Sequence, residues 1–186
     1  MNEDARGELQ PVIRAGESLL WAGRPDPAWR WRRGDLAATA TGVVFGAFIT
    51  FWLSLAIGNG APFFFPLFGS VFALFALWML IGRWFYRAAR ARRTAYGLTP
   101  TRAYIVVKGS VTTHPLRESL TVRRSGEHVD VVFADETRPG RGWTAVGNTG
   151  AEFIMRSRYD AAFYDVADAD GLLGALDRAQ RSVTKD

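Results

Sequence analysis

The sequence predicts an α+β membrane protein: a hairpin of two transmembrane helices joined to a small β-rich unit that ends in a helix. Three observations carry this. No Asp, Glu, Lys, Arg or His occurs from Leu36 to Gly82, a run of 47 residues, and about 20 apolar residues suffice for a helix to cross a bilayer. After Arg93 the apolar residues recur with period two, the repeat of strands. The stretch from Leu172 to Val183 returns to helical spacing.

The uncharged run is long enough for two passes. Gly58-Asn59-Gly60-Ala61-Pro62 interrupts it with residues that break helices and permit a tight reversal. The expected helices span about 36–57 and 63–85. Ten residues of the first are Leu, Ile, Val or Phe, and together they contribute about −3 to −6 kcal/mol to insertion. The second carries Phe68, Val71, Phe72, Leu74, Phe75, Leu77, Leu80 and Ile81. A soluble chain of 186 residues has too little else to cover all sides of two such helices. The first helix begins some 35 residues in, behind Glu3, Asp4, Glu8, Glu17 and Asp26, which predicts an uncleaved anchor.

Composition limits the chemistry. Cysteine is absent, which excludes disulfides, thiolate catalysis and cysteine-ligated zinc. The mean hydropathy of −0.01 averages two unlike parts. The net charge of +5 and the isoelectric point near 10.1 suggest nucleic acid or anionic lipid. The arginines decide for lipid, since they flank the apolar run as Arg30, Arg32, Arg33 and as Arg83, Arg87, Arg90, Arg92, Arg93. Lys and Arg at helix ends mark the cytoplasmic side. Both termini are therefore expected in the cytoplasm, with the hairpin multi-pass and its turn outside. Trp29, Trp31, Trp84 and Tyr86 stand where an interfacial aromatic belt belongs.

Ala38, Gly42, Gly46, Thr50, Ser54 and Gly58 recur at every fourth position of the first helix. Small residues along one face let helix backbones approach closely in lipid. That face packs either on the second helix, which offers Gly69 and Ala73, or on a second copy of the chain. With no charged residue or His in the spans, no carrier for an ion or proton pathway is visible.

Residues 94–186 form the expected cytoplasmic unit. Ala103, Ile105 and Val107 alternate with Tyr104, Val106 and Lys108 as a strand, after a turn at Thr99-Pro100-Thr101. Leu120 and Val122 lie in a second strand, and Ser125-Gly126-Glu127 turns into a third from His128 to Ala134. Residues 138–150 read as a long loop, and 151–158 and 162–166 as weaker strands. Asp168 or Asp170 is placed to cap a last helix whose stripe is Leu172, Leu173, Leu176, Ala179 and Val183. Leu19 and Trp21, apolar at period two outside the membrane run, need a surface to cover them. This makes residues 1–28 an N-terminal segment holding the first strand of the same unit, with 29–93 as the hairpin and its basic flanks.

Two segments resemble a known family. Tyr96-Gly97-Leu98-Thr99-Pro100-Thr101-Arg102 is similar to the Y-x-L-T-x-x-R start of bacterial pleckstrin-homology-like (PH-like) domains. Gly16-Glu17-Ser18-Leu19-Leu20-Trp21-Ala22-Gly23-Arg24-Pro25 resembles the G-E-x-x-L-W-x-G-R-P opening of membrane proteins in that group, in which a transmembrane hairpin separates opening and domain. Phe163-Tyr164-Asp165-Val166 followed by a helix also fits. The resemblance implies a seven-stranded PH-like sandwich or barrel capped by a helix. It implies no single function.

No catalytic residue, metal site or cofactor is expected. His114 precedes Pro115 in an expected turn and His128 begins a strand; two histidines without clustered carboxylates make a poor zinc site. Adjacent Asp135 and Glu136 point to opposite faces of a strand end. Ser110, Ser119 and Ser125 lack a nucleophile-elbow context. The glycines at 140, 142 and 147 lack the following Lys-Ser/Thr and helix of a phosphate loop. Arg102, Lys108, Arg123 and Arg124 are the expected basic patch, facing lipid headgroups or solvent. The chain thus reads as a non-enzymatic, membrane-tethered binding or assembly module. It would engage a protein partner, a second copy or the bilayer, and not nucleic acid. The alternative is an accessory subunit of a membrane transporter or envelope enzyme.

Overall fold

The computed structural model describes residues 2–31, 33–116, 120–133 and 162–183. The expected loop over 138–150, the strand over 151–158, Ser119, Asp135, Glu136 and the glycines at 140, 142 and 147 lie outside them. The described chain is α+β, with seven strands in two sheets and two long apolar helices. It divides into two units, one from residues 2–28, 88–116, 120–133 and 162–183, the other from 29–31 and 33–87.

In the β unit, helix α1 (Glu3–Leu9) is capped by Asn2, whose Oδ1 accepts from the Ala5 N–H at 3.2 Å. Strands β1 (Trp21–Gly23), β2 (Thr94–Leu98), β3 (Arg102–Val107) and β4 (Ser110–Pro115) form an antiparallel sheet in that order. Trp21 stands opposite Leu98 and Gly23 opposite Tyr96, so a strand before the long helices is laddered to one after them. The β3–β4 turn is Lys108-Gly109, both at positive φ (50° and 82°), as two-residue hairpin turns require. Strands β5 (Thr121–Ser125), β6 (His128–Val132) and β7 (Ala162–Val166) form a second antiparallel sheet. A single bridge from Pro25 to Val166 connects β7 with the residues just after β1.

The inner faces of the sheets meet over Trp21, Tyr96, Leu98, Ile105, Val129, Val131, Phe133 and Phe163. The Tyr96 and Phe163 rings stack with centroids 4.6 Å apart. Helix α5 (Ala169–Val183) adds Leu172, Leu176 and Ala179 to this core. Asp168 caps α5, accepting from the Gly171 N–H at 3.2 Å, and also accepts from the Trp21 indole at 2.9 Å. The other face of the first sheet is buried too. Ala5 and Leu9 of α1 cover Ala22, Ala95, Tyr104 and Val106. Gly97 is the point of close approach, because a Cβ there would sit 2.9 Å from Leu9 Cδ2.

In the helical unit, α2 (Arg33–Gly58) is followed by α3 (Phe64–Leu77), a π-helical turn (Trp78–Gly82) and α4 (Arg83–Ala91), of which residues 88–91 belong to the β unit. The last three run on as one helix. Asp35–Gly58 and Phe64–Ala91 are long and apolar enough to cross a membrane by length and composition. The expected end near residue 85 is corrected: the helix continues to Ala91. His114 is corrected as well, from a turn to strand β4, opposite Ala103.

Candidate functional site

The most developed polar arrangement lies at the end of the helical unit away from its turn. Asp35, in the first turn of α2, is fully buried, and so is Arg83. Arg83 Nη1 donates to Asp35 Oδ1 at 2.6 Å, and its Nη2 donates to Thr39 Oγ1 at 2.6 Å. Arg87, one helical turn on and thus on the same face, donates from Nη1 to both Asp35 oxygens at 3.2 and 3.0 Å. The carboxylate at a helix N-terminus also faces the positive end of the helix dipole. Trp84 lies beside both guanidiniums, its ring centroid 4.8 Å from Arg83 Cζ and 5.2 Å from Arg87 Cζ. It stacks on Trp31 at 5.6 Å, and Trp29 packs edge-on against Phe85 at 5.1 Å. This is a clamp joining the two helices through charge-assisted hydrogen bonds.

Sequence reasoning placed Arg83 and Arg87 as topology markers and passed over Asp35. A signal was present. Asp35 directly precedes the uncharged run, and Arg83 directly follows it. At 1.5 Å per residue, about 35 Å of helix separates Asp35 from Gly58 and about 29 Å separates Phe64 from Arg83. Charges at matched heights on either side of a turn meet when the hairpin closes.

Below the clamp, Ala38, Gly42 and Gly46 face the returning helix. A Cβ on Gly42 would lie 3.0 Å from Leu80 Cδ2 and 3.2 Å from Met79 Cβ, and one on Gly46 would lie 3.5 Å from Ala76 Cβ. Thr50 and Ser54 are exposed and bond back to their own helix, at Gly46 O and Thr50 O, both at 2.8 Å. Nearer the turn, Gly69 admits Leu53 and Trp52, to which a Cβ would come within 2.5 and 2.7 Å. An open apolar groove of about 220 Å³ lies among Phe45, Phe48, Trp52, Phe68 and Phe72.

In the β unit, Glu17 joins the two segments that carry the family resemblance. Its Oε2 accepts from Thr99 Oγ1 at 2.8 Å and from the Tyr104 hydroxyl at 3.0 Å. Its Oε1 accepts from Thr101 Oγ1 at 3.1 Å, with Arg102 Nε 3.6 Å away. Burial alone would raise the Glu17 carboxyl. The hydrogen bonds from Thr99, Tyr104 and Thr101, with the Arg102 charge, outweigh it and hold the group below its usual value. Burial, reinforced by this carboxylate, pushes the Tyr104 hydroxyl up. The indole hydrogen bond from Trp21 holds Asp168 below the usual carboxylate value against the effect of burial.

The four expected basic-patch residues do not stand together. Arg102 opens β3 beside Glu17, and Lys108 follows the other end of that strand, about 20 Å away at 3.3 Å per residue. Arg123 and Arg124 are exposed on β5 of the other sheet, where Arg124 lies 3.3 Å from Asp170. His128 Nε2 is 2.9 Å from Asp26 Oδ2, and the His114 ring stacks against Phe133 with centroids 6.3 Å apart. Among the described residues no group of three or more His, Asp or Glu is placed to hold a metal ion. No protein-family model matches the chain, and no curated protein or solved structure is significantly similar to it.

Proposed function

We propose that this chain is a non-enzymatic binding or assembly module held at the cytoplasmic face of a bacterial inner membrane by its helical hairpin. The single observation that supports this most is the ladder between β1 and β2. One strand of the β unit precedes the hairpin and its sheet neighbour follows it, so the two ends of the hairpin start from adjacent strands. A hairpin inserted there enters and leaves a bilayer on the same side, with the uncharged Gly58–Pro62 turn on the other. The large apolar side chains exposed on the helices, among them Val44, Phe51, Leu67 and Leu74, need lipid around them. The arginines and tryptophans at the open end suit headgroups of the cytoplasmic leaflet.

The β unit reads as PH-like. Two sheets of four and three antiparallel strands with one C-terminal helix packed on their core accord with that architecture. Glu17 meeting Thr99 and Arg102 gives a physical role to the residues that resemble the family. The resemblance implies no single function, and we propose engagement of a membrane protein or of a second copy as the activity of this unit. The test is crosslinking in native membranes followed by purification of the full chain in detergent. The proposal expects a specific crosslinked partner, or a crosslinked dimer, in the membrane fraction. A monomer that stays in solution without detergent contradicts it.

A further inference from the structure

We infer that Trp52, Phe64 and Phe65 form a second interfacial belt at the turn end of the hairpin, and that the two belts fit the helical unit to a bilayer whose hydrocarbon core is about 28 Å thick. The inference rests on the membrane-spanning reading above and uses residues of the helical unit alone.

The hairpin carries a group of rings at each end. At the open end Trp31 stacks on Trp84 at 5.6 Å, Trp29 lies 6.2 Å from the same indole, and Trp78 packs against Tyr86 at 5.9 Å. At the turn end Trp52 of α2 lies 6.3 Å from Phe65 of α3, which packs on Phe64 at 4.2 Å. Between Trp31 and Trp52, and between Phe65 and Trp78, every aromatic residue is a phenylalanine. Indoles, whose N–H seeks a polar partner while the ring stays apolar, are thus confined to the two ends. Phe63, Phe64 and Phe65 are 81, 52 and 39% exposed, beside a turn that has no charge. A cluster of rings this open suits an apolar or interfacial medium and not water.

The spacing of the two groups identifies the medium. Along the second helix Trp84 and Phe65 are 19 residues apart, and along α2 Asp35 and Trp52 are 17 apart, about 28 and 26 Å at 1.5 Å per residue. Asp35 and Trp84 both belong to the clamp, so the two distances start from one level. The hydrocarbon core of a bilayer is about 30 Å thick, and membranes differ from one another by a few Å. Two helices give this span independently. A protein partner at the turn end would impose no such match.

The test reconstitutes the full chain in phosphatidylcholine bilayers of increasing acyl length and follows thermal unfolding. Stability is expected to pass through a maximum where the hydrocarbon core is about 28 Å, and the ratio of folded to unfolded chain to fall about tenfold for roughly 5 Å of mismatch. Trp52→Leu/Leu55→Trp carries the indole about 4.5 Å toward the turn, and the maximum should move to thicker bilayers. Trp52 also packs on Gly69, so this variant loses stability at every thickness; that loss lowers the profile without moving its maximum. Phe64→Leu/Phe65→Leu, apolar but without rings, should flatten the profile. A wild-type profile without a maximum, or a maximum that Trp52→Leu/Leu55→Trp leaves in place, overturns the inference. The chain has no cysteine of its own, so Phe64→Cys also reports self-association: a flat profile with a disulfide-linked dimer assigns the rings to a second copy instead. Labelling of Gly7→Cys and Asn59→Cys separates the inference from the reading beneath it. The two positions reacting from opposite sides, with a flat profile, sinks this inference alone; both reacting from one side sinks the membrane-spanning reading and this inference with it.

Discussion

The Asp35 carboxylate accepts a 2.6 Å hydrogen bond from Arg83, and neither side chain is exposed. Removing one partner of a buried ion pair leaves a charge in a poor medium and typically costs about 3–5 kcal/mol, whereas replacing the whole group by apolar residues is often neutral or stabilising. Asp35→Asn is therefore expected to lower the unfolding temperature in detergent strongly. Asp35→Leu with Arg83→Met and Arg87→Met should recover most of the loss. Equal destabilisation by the single and triple changes would mean that the clamp does not act through charge.

The helix contacts rank the glycines. Gly69→Ala brings a methyl within 2.5 Å of Leu53 and should cost about 1–3 kcal/mol. Gly42→Ala, meeting Leu80 at 3.0 Å, should cost less. Gly46→Ala makes an ordinary 3.5 Å contact with Ala76 and should be neutral, or gain up to about 1 kcal/mol from helix propensity. Gly46→Leu should lower stability through the same contact. Thermal unfolding of the four variants, with crosslinking of Gly46→Leu, checks the order; a stable monomer from a native dimer would place Gly46 between copies instead.

Glu17 gives the β unit an acid dependence of known sign. Its folded value lies below the usual 4.5, so the stability it contributes is present above that value and is lost as pH falls through the folded value. Glu17→Gln should cost about 1 kcal/mol near neutral pH, since the amide oxygen still accepts from Thr99 and Tyr104 but the charge that strengthens those bonds, and one acceptor oxygen, are lost. It should also flatten the pH dependence of unfolding on the acid side. An unchanged acid limb in the variant would assign the dependence to other carboxylates.

Asp168 serves two elements at once, capping α5 and accepting from the Trp21 indole. Asp168→Ala should cost about 1–2 kcal/mol as a lost cap, plus the indole bond. Trp21→Phe should cost less, and in the double variant the two losses should fall short of additive. Urea unfolding of the four proteins in the double-mutant cycle reads this directly.

What the sequence makes legible follows from how each segment is buried. Helix α2 is readable within a few residues, because the uncharged apolar run and the Gly-Asn-Gly-Ala-Pro break mark its length and its end. The second helix runs past the expected end since Arg83 and Arg87 face Asp35, and charge alone looks like a boundary. Strand β3 and the β5–β6 hairpin alternate visibly. Strand β2 does not: α1 covers one face and the core the other, so Thr94–Leu98 shows no period. Edge strand β4, with Thr112, Thr113 and His114, is too polar to read as a strand, and α1 has only Ala5 and Leu9 to signal a helix. Of the polar groups, Glu17 stood inside a recognisable motif, while Asp35 became meaningful only once the hairpin was closed.

The most direct test of the account is the sidedness of the chain in a membrane. Reporter fusions after Gly7 and at Asp186 should both report cytoplasm, and an insertion at Asn59 should report the outside. A Gly7 fusion and an Asp186 fusion on opposite sides, or an Asn59 insertion that reports cytoplasm, would contradict a hairpin inserted between two neighbouring strands of one sheet.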